Sequence, residues 1–243
     1  MPTLLTPDQI NQIVSNHHDN PHAVLGCHPT NDDPNPKTWS IRAYLPSASQ
    51  AWVIDTPSQT EHPMTTVHHP HFFECTLQSE TTPKYQLKLQ EGDRQHIIND
   101  PYAFAEAPHI SDLDLHLFAE GNHHRIYNKL GAHLVEVDGI KGVYFAVWAP
   151  NAKRVSVVGD FNFWDGRKYV MRKLIPLGIW EIFIPGVDVG AKYKYEVKSA
   201  DGGILPHKAD PVGFFAQVPP EQASVVIDRN AYQWSDHQWQ QKK

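Results

Sequence analysis

Val147-Trp148-Ala149-Pro150 repeats, residue type for residue type, the segment Ala43-Tyr44-Leu45-Pro46 found 104 residues earlier. The match extends in both directions. Leu25-Gly26-Cys27-His28 pairs with Leu130-Gly131-Ala132-His133 at an offset of 105, and Ala51-Trp52-Val53-Ile54 with Val155-Ser156-Val157-Val158 at 104. Phe73-Glu74 pairs with Trp180-Glu181 at 107, Tyr85-Gln86-Leu87-Lys88-Leu89 with Tyr193-Lys194-Tyr195-Glu196-Val197 at 108, and Asn99-Asp100-Pro101 with Ala209-Asp210-Pro211 at 110. The offset grows slowly and the order never breaks, as expected of a duplicated module. A unit of about 100 residues is the size of a β-sandwich.

Local patterns agree with sandwiches. Stretches 142–148, 154–158, 178–184 and 192–197 are rich in Val, Ile, Tyr, Phe and Trp, and several alternate with period two. Pro150-Asn151, Gly159-Asp160, Asp165-Gly166, Pro185-Gly186 and Asp201-Gly202-Gly203 punctuate them, and a last strand is expected over 224–228. Helices are few. Thr6-Pro7-Asp8-Gln9 reads as a capping box with proline at the first helical position, opening a helix to about residue 15. Ser111-Asp112-Leu113-Asp114 opens another that Gly121 stops, and 124–130 is expected to add a helical turn. The fold class is therefore all-β: two tandem immunoglobulin-like β-sandwiches with a short N-terminal helix and a short helical connector. The boundaries are 1–110 for the first module, 111–130 for the connector and 131–243 for the second module.

The 243 residues carry a net charge of −6, unevenly: residues 1–121 hold −10 and residues 122–243 hold +4. Neither half has the basic footprint of a nucleic-acid binder. The longest apolar run, Val143 to Pro150, has eight residues, against about 20 needed to span a bilayer, so no membrane association is expected. The first 20 residues lack the pattern of a signal peptide. With two cysteines, Cys27 and Cys75, read as independent thiols, a cytoplasmic location is the expectation. There is no phosphate loop, nucleophile elbow or His-Glu-x-x-His, and no cofactor is expected. The histidine clusters His17-His18, His68-His69-x-His71 and His123-His124 fall among turn residues and are read as solvated loops rather than as metal ligands.

Aromatic residues are more informative. Phe161-Asn162-Phe163-Trp164-Asp165-Gly166 follows a strand in a turn-rich segment. Phe161 is expected to cover the end of the sandwich core, and Trp180, which alternates along a strand, to lie inside it. For Trp164 two readings stay open. It either joins Phe161 over the core, or presents its indole to the apolar face of a pyranose ring while Asn162 and Asp165 bond sugar hydroxyls.

The segments 147–152, 155–166, 178–186 and 193–196 resemble the glycogen-binding, starch-binding-type module of the alpha-amylase clan. The whole chain resembles the N-terminal region of bacterial glycogen branching enzymes, through Asn20-Pro21-His22-Ala23-Val24-Leu25-Gly26, Asp114-Leu115-His116-Leu117-Phe118-Ala119-Glu120-Gly121 and Leu130-Gly131-Ala132-His133. The resemblance implies an alpha-1,4-glucan partner and a catalytic barrel in cis. Retaining glycosidase chemistry uses two carboxylates on such a barrel, which needs about 250 residues. No residue of this chain inherits a catalytic role, and the chain alone is expected to be inactive. Trp164 occupies the stacking position of the glycogen-binding pattern and Lys194 its hydrogen-bonding lysine. A second tryptophan of the pattern is replaced by Asp201-Gly202-Gly203-Ile204-Leu205, so weak affinity is expected. The first module has no Phe-Asn-x-Trp segment, and no comparable site is expected there. Two other readings remain: a purely structural module pair, and a free-standing glucan-binding protein.

Overall fold

The computed structural model describes residues 5–31, 35–104, 109–231, 235 and 241. The stretch 232–239 lies outside them except for Ser235. Strand accounts for 39% of the structure and helix for 13%, as the strand-rich sequence requires.

Both cap readings hold. Helix α1 (Pro7–Val14) starts at Thr6, whose hydroxyl accepts from the Gln9 amide at 3.3 Å while the Gln9 side chain accepts from the Thr6 amide at 3.0 Å. Helix α2 (Asp112–Ala119) repeats the device with Ser111 and Asp114. The expected turn after α2 is a short 3-10 helix, Ile126–Asn128.

The first half contributes β1 (Gly26–Pro29), β2 (Thr38–Tyr44), β3 (Gln50–Asp55), β4 (Glu61–Pro63), β5 (Thr65–Val67), β6 (His69–Gln78), β7 (Tyr85–Glu91) and β8 (Arg94–Ile98). They form two antiparallel sheets, β1-β2-β6-β5 and β4-β3-β7-β8. The inward residues of both, Ile41 and Phe73 from one and Val53, Leu87 and Leu89 from the other, share one core. The second half has β9 (Gly131–Val137), β10 (Ile140–Trp148), β11 (Arg154–Gly159), β12 (Arg172–Leu174), β13 (Ile179–Pro185), β14 (Lys192–Lys198) and β15 (Ser224–Val225). Sheet β12-β13-β10-β9 faces sheet β11-β14-β15 across Val143, Phe145, Val155, Val157, Trp180 and Tyr195. The strand expected over 224–228 is thus only two residues long.

The duplication reaches individual hydrogen bonds. Tyr85 donates to Asp100 at 2.6 Å and Tyr193 to Asp210 at 2.7 Å; Asp100 accepts from the Tyr102 amide at 3.0 Å and Asp210 from the Val212 amide at 2.8 Å. The repeated Leu-Gly also finds its reason. Gly26 and Gly131 have φ of +92° and +102°, and a Cβ on them would lie 2.4 Å from the Tyr102 carbonyl oxygen and 3.0 Å from that of Val212. Each glycine lets a first strand run against the Asp-Pro corner of its own module.

Two layers lie outside the sandwiches. The outer face of β10 and β13, carrying Tyr144, Ala146, Ile179 and Phe183, is covered by Leu115 and Phe118 of α2 and by Phe104. That second cover explains why the run beginning at Val143 is apolar without alternating. Helix α1 sits in the seam between modules. Its Ile10 and Ile13 share a core with Phe72 and Tyr102 of the first module and with the inner residues of the second. The chain after α1 adds polar ties: the Lys173 amide donates to the Asp19 carbonyl at 2.7 Å, and the Tyr102 hydroxyl lies 3.1 Å from the Val170 amide.

The histidine clusters are less uniform than expected. His69 and His71 stand on β6 rather than in a loop, with ring centroids 5.6 Å apart. His123 contacts Asp114 at 2.9 Å and His17 contacts Lys198 at 2.9 Å. Cys27 and Cys75 are free thiols on β1 and β6, both paired to β2 opposite Ile41.

Candidate functional site

The loop after β11 lies over the outer face of β11 and β14. Arg154, buried at the start of β11, anchors it from below, donating to the Gly166 carbonyl at 2.7 Å and to Ser156 Oγ at 3.1 Å, and pairing with the Glu196 carboxylate. Gly166 leaves room for that pair: a Cβ there would meet the Glu196 carboxylate, which would have to shift from its place against Arg154.

The loop begins as a 3-10 turn, Asp160–Asn162, and then places two consecutive residues, Phe163 and Trp164, in the left-handed region at φ +58° and +61°. Non-glycine residues take that conformation only where their surroundings enforce it. Asn162 does the enforcing. It is 2% exposed, its Oδ1 accepts from the Gly159 amide at 2.9 Å, and its Nδ2 donates to the carbonyls of Val157 at 3.0 Å and Asp165 at 3.3 Å. Both donors of the amide are thereby committed to the loop, so it has none left for a sugar hydroxyl. Asp165 is likewise turned to its neighbour: both oxygens meet the Arg167 guanidinium, at 2.9 and 2.8 Å. Those bonds, ahead of burial, hold its pKa below the usual carboxylate range. Asn162 and Asp165 thus build the loop, where the sequence reading had them facing a ligand.

Trp164 is outside the core. Its indole stacks on His207, with centroids 6.4 Å apart and an interplanar angle of 17°, and 37% of the residue stays exposed. Phe161 is half-buried against Phe145 and Tyr169, closing the core end, and Trp180 is fully buried with its Nε1 donating to the Ala149 carbonyl at 2.9 Å. Lys194 stands two residues before Glu196 on β14, hence on the same face. No hydrogen bond or ion pair to its ammonium is formed among the described residues. His207 links the two sides, 3.3 Å from Glu196 Oε2 and beneath the Trp164 ring. The structure therefore brings Trp164 and Lys194 to one face through His207 and Glu196. The sequence reading did not single out those two residues, and His207 lies 43 positions from Trp164. Where the second aromatic is missing, Ile204 is 63% and Leu205 38% exposed.

Residues 6–102 match the family model of the alpha-1,4-glucan branching enzyme GlgB N-terminal domain, and residues 129–213 that of carbohydrate-binding module 48, the isoamylase N-terminal domain. Among curated relatives, the chain is 54% identical over 242 residues to a 1,4-alpha-glucan branching enzyme GlgB of Nostoc sp., covering 99% of this chain and 31% of the relative. It is 53% identical over 239 residues to that of Thermosynechococcus vestitus, covering 98% and 31%. The chain thus spans about a third of the length of the curated relatives it matches. Among solved structures, it is 15% identical to the type I pullulanase of Bacillus subtilis str. 168 complexed with maltose, with a TM-score of 0.36, covering 82% of this chain and 26% of that one.

Proposed function

Because residues 6–102 match the GlgB N-terminal domain model and residues 129–213 that of carbohydrate-binding module 48, we propose that the chain is the glucan-handling accessory region of a branching enzyme. Such an enzyme transfers alpha-1,4-glucan segments to make alpha-1,6 branches. In this reading the second module holds a linear alpha-1,4-glucan, a catalytic barrel in cis does the bond making, and the pair works in the cytoplasm. The observation that carries it is an exposed indole, Trp164, seated on His207, which reaches Glu196 on β14, the strand face that also carries Lys194.

Physical chemistry suits a sugar. The indole takes the apolar face of a pyranose, and the Lys194 ammonium donates to ring hydroxyls. Asn162, Asp165 and Arg154 hold the loop so that Trp164 arrives already placed, which lowers the ordering cost of binding. With no second aromatic, affinity is expected around millimolar, about −4 kcal/mol.

Glycogen-affinity electrophoresis of the 243-residue chain tests this. Trp164→Ala and Lys194→Met should each weaken retardation, with the thermal midpoint unchanged because neither side chain is in the core. A wild type that migrates freely, or a Trp164→Ala variant still retarded as wild type, would refute the site. In an iodine-stain assay on amylose the chain alone should produce no new alpha-1,6 linkages.

A further inference from the structure

Phe163 and Trp164 both stand in the left-handed region, and they serve different surfaces: Trp164 lies on His207, while Phe163 borders a cleft between the modules. We propose that this cleft is a second alpha-glucan subsite, taking the end of a chain. The proposal rests on the reading of the chain as glucan-binding, but not on the Trp164 face.

The cleft has a volume of about 210 Å³. Its floor is Tyr44 and Leu89 of the first module with Phe161 and Tyr169 of the second, and Glu91, His96 and Lys168 supply polar groups. Pockets for drug-sized ligands run to about 300–1,000 Å³, so this one accommodates a terminal sugar rather than the middle of a long chain. Phe163 is 81% exposed, and the Asn162 hydrogen bonds hold its backbone where a non-glycine residue is disfavoured. Core packing therefore does not account for it, whereas a ligand stacked on its ring would.

The polar groups say what kind of ligand. The Lys168 ammonium is 5.9 Å from the Phe163 ring centroid and 3.6 Å from the Glu91 carboxylate, so a cation and an anion from different modules meet beside an aromatic face. A purely apolar ligand would desolvate that pair with nothing in return. An anion would meet Glu91 and a cation Lys168. A neutral ring with an apolar face and a rim of hydroxyls satisfies all three: C–H groups on Phe163, hydroxyls donating to Glu91 and accepting from Lys168, and His96 free to do either.

Maltotriose titration by calorimetry on the 243-residue chain separates the two subsites. Phe163→Asn is the variant of choice, because asparagine tolerates the left-handed conformation and leaves the turn intact. In a Trp164→Ala background, maltotriose binding should persist, and Phe163→Asn should then weaken it about fivefold or more at an unchanged thermal midpoint. Glu91→Ala, which leaves the loop sequence untouched, should weaken it several-fold in the same background. Loss of all binding in Trp164→Ala alone overturns the cleft and leaves the Trp164 face standing, and binding in that background that is equal with and without Phe163→Asn and Glu91→Ala also overturns the cleft. Binding that only the cleft variants reduce supports the cleft and removes the Trp164 face. A wild type that binds no maltotriose up to tens of millimolar overturns both.

Discussion

Replacing Tyr102 with Phe removes one oxygen from the seam between the modules and leaves the ring in place. The Tyr102 hydroxyl accepts from the Val170 amide at 3.1 Å and faces the carbonyls of Val170 at 3.2 Å and Lys168 at 3.4 Å. Tyr102 is 7% and Val170 6% exposed, so the amide that loses its partner is shielded from bulk water. A buried amide left unsatisfied costs about 1–3 kcal/mol. For a chain of about 150–250 residues each kcal/mol lowers the thermal midpoint by about 2–4 °C, so the variant should melt about 2–12 °C earlier. Because α1, Phe72 and Tyr102 share one core with the second sandwich, calorimetry should show a single transition that moves as a whole. Tyr85→Phe, which loses a bond to Asp100 inside the first module, is the control for hydroxyl loss away from the seam. A Tyr102→Phe midpoint within 1 °C of wild type, or two resolved transitions in the wild type, would refute a locked seam.

Asn162→Ala should weaken glycogen retardation although Trp164 is present, because the three loop bonds made by the amide are gone; calorimetry should show a cost of about 1–3 kcal/mol. Burial raises the Asp100 pKa from 3.8 to about 6, offset in part by its bonds to Tyr85 and Tyr102. The folded state therefore holds this proton more tightly than the unfolded one. The contribution of Asp100 to stability is largest below about pH 4 and falls by about 3 kcal/mol as pH rises to about 6. The midpoint of Asp100→Asn should gain on wild type across that window, and parallel curves would contradict the assignment. Burial also pushes the Cys27 thiol up to about 12 and that of Cys75 up to about 11. Iodoacetamide at pH 8 should leave both unmodified in the folded chain and label both in denaturant, as read by mass spectrometry.

Much of this was legible because it is local or repeated. Caps at Thr6 and Ser111 depend on residues three apart, and strands declare themselves by period two. The duplicated Leu-Gly and Asp-Pro corners gave the module length, and the structure supplied their physical meaning in the close approach of Gly26 and Gly131 to the corner carbonyls. Trp164 stands out as a tryptophan among turn residues, whereas Lys194 is legible only through the resemblance to the glycogen-binding pattern.

Only the tertiary structure decided which members of a polar, aromatic loop face outward. Asn162 and Asp165 have the chemistry to bind hydroxyls, but the fold spends them on backbone groups and on Arg167, because a loop carrying two left-handed residues needs those bonds first. Neither Phe163 nor Trp164 advertises its conformation, since neither is glycine. His207 comes beneath Trp164 from 43 residues away, and Lys198 donates to the Ser15 carbonyl across 183. Such contacts leave no periodic trace in a sequence. Their partners are chosen by how two sandwiches and one helix exclude water together, and that choice exists only once the chain has folded.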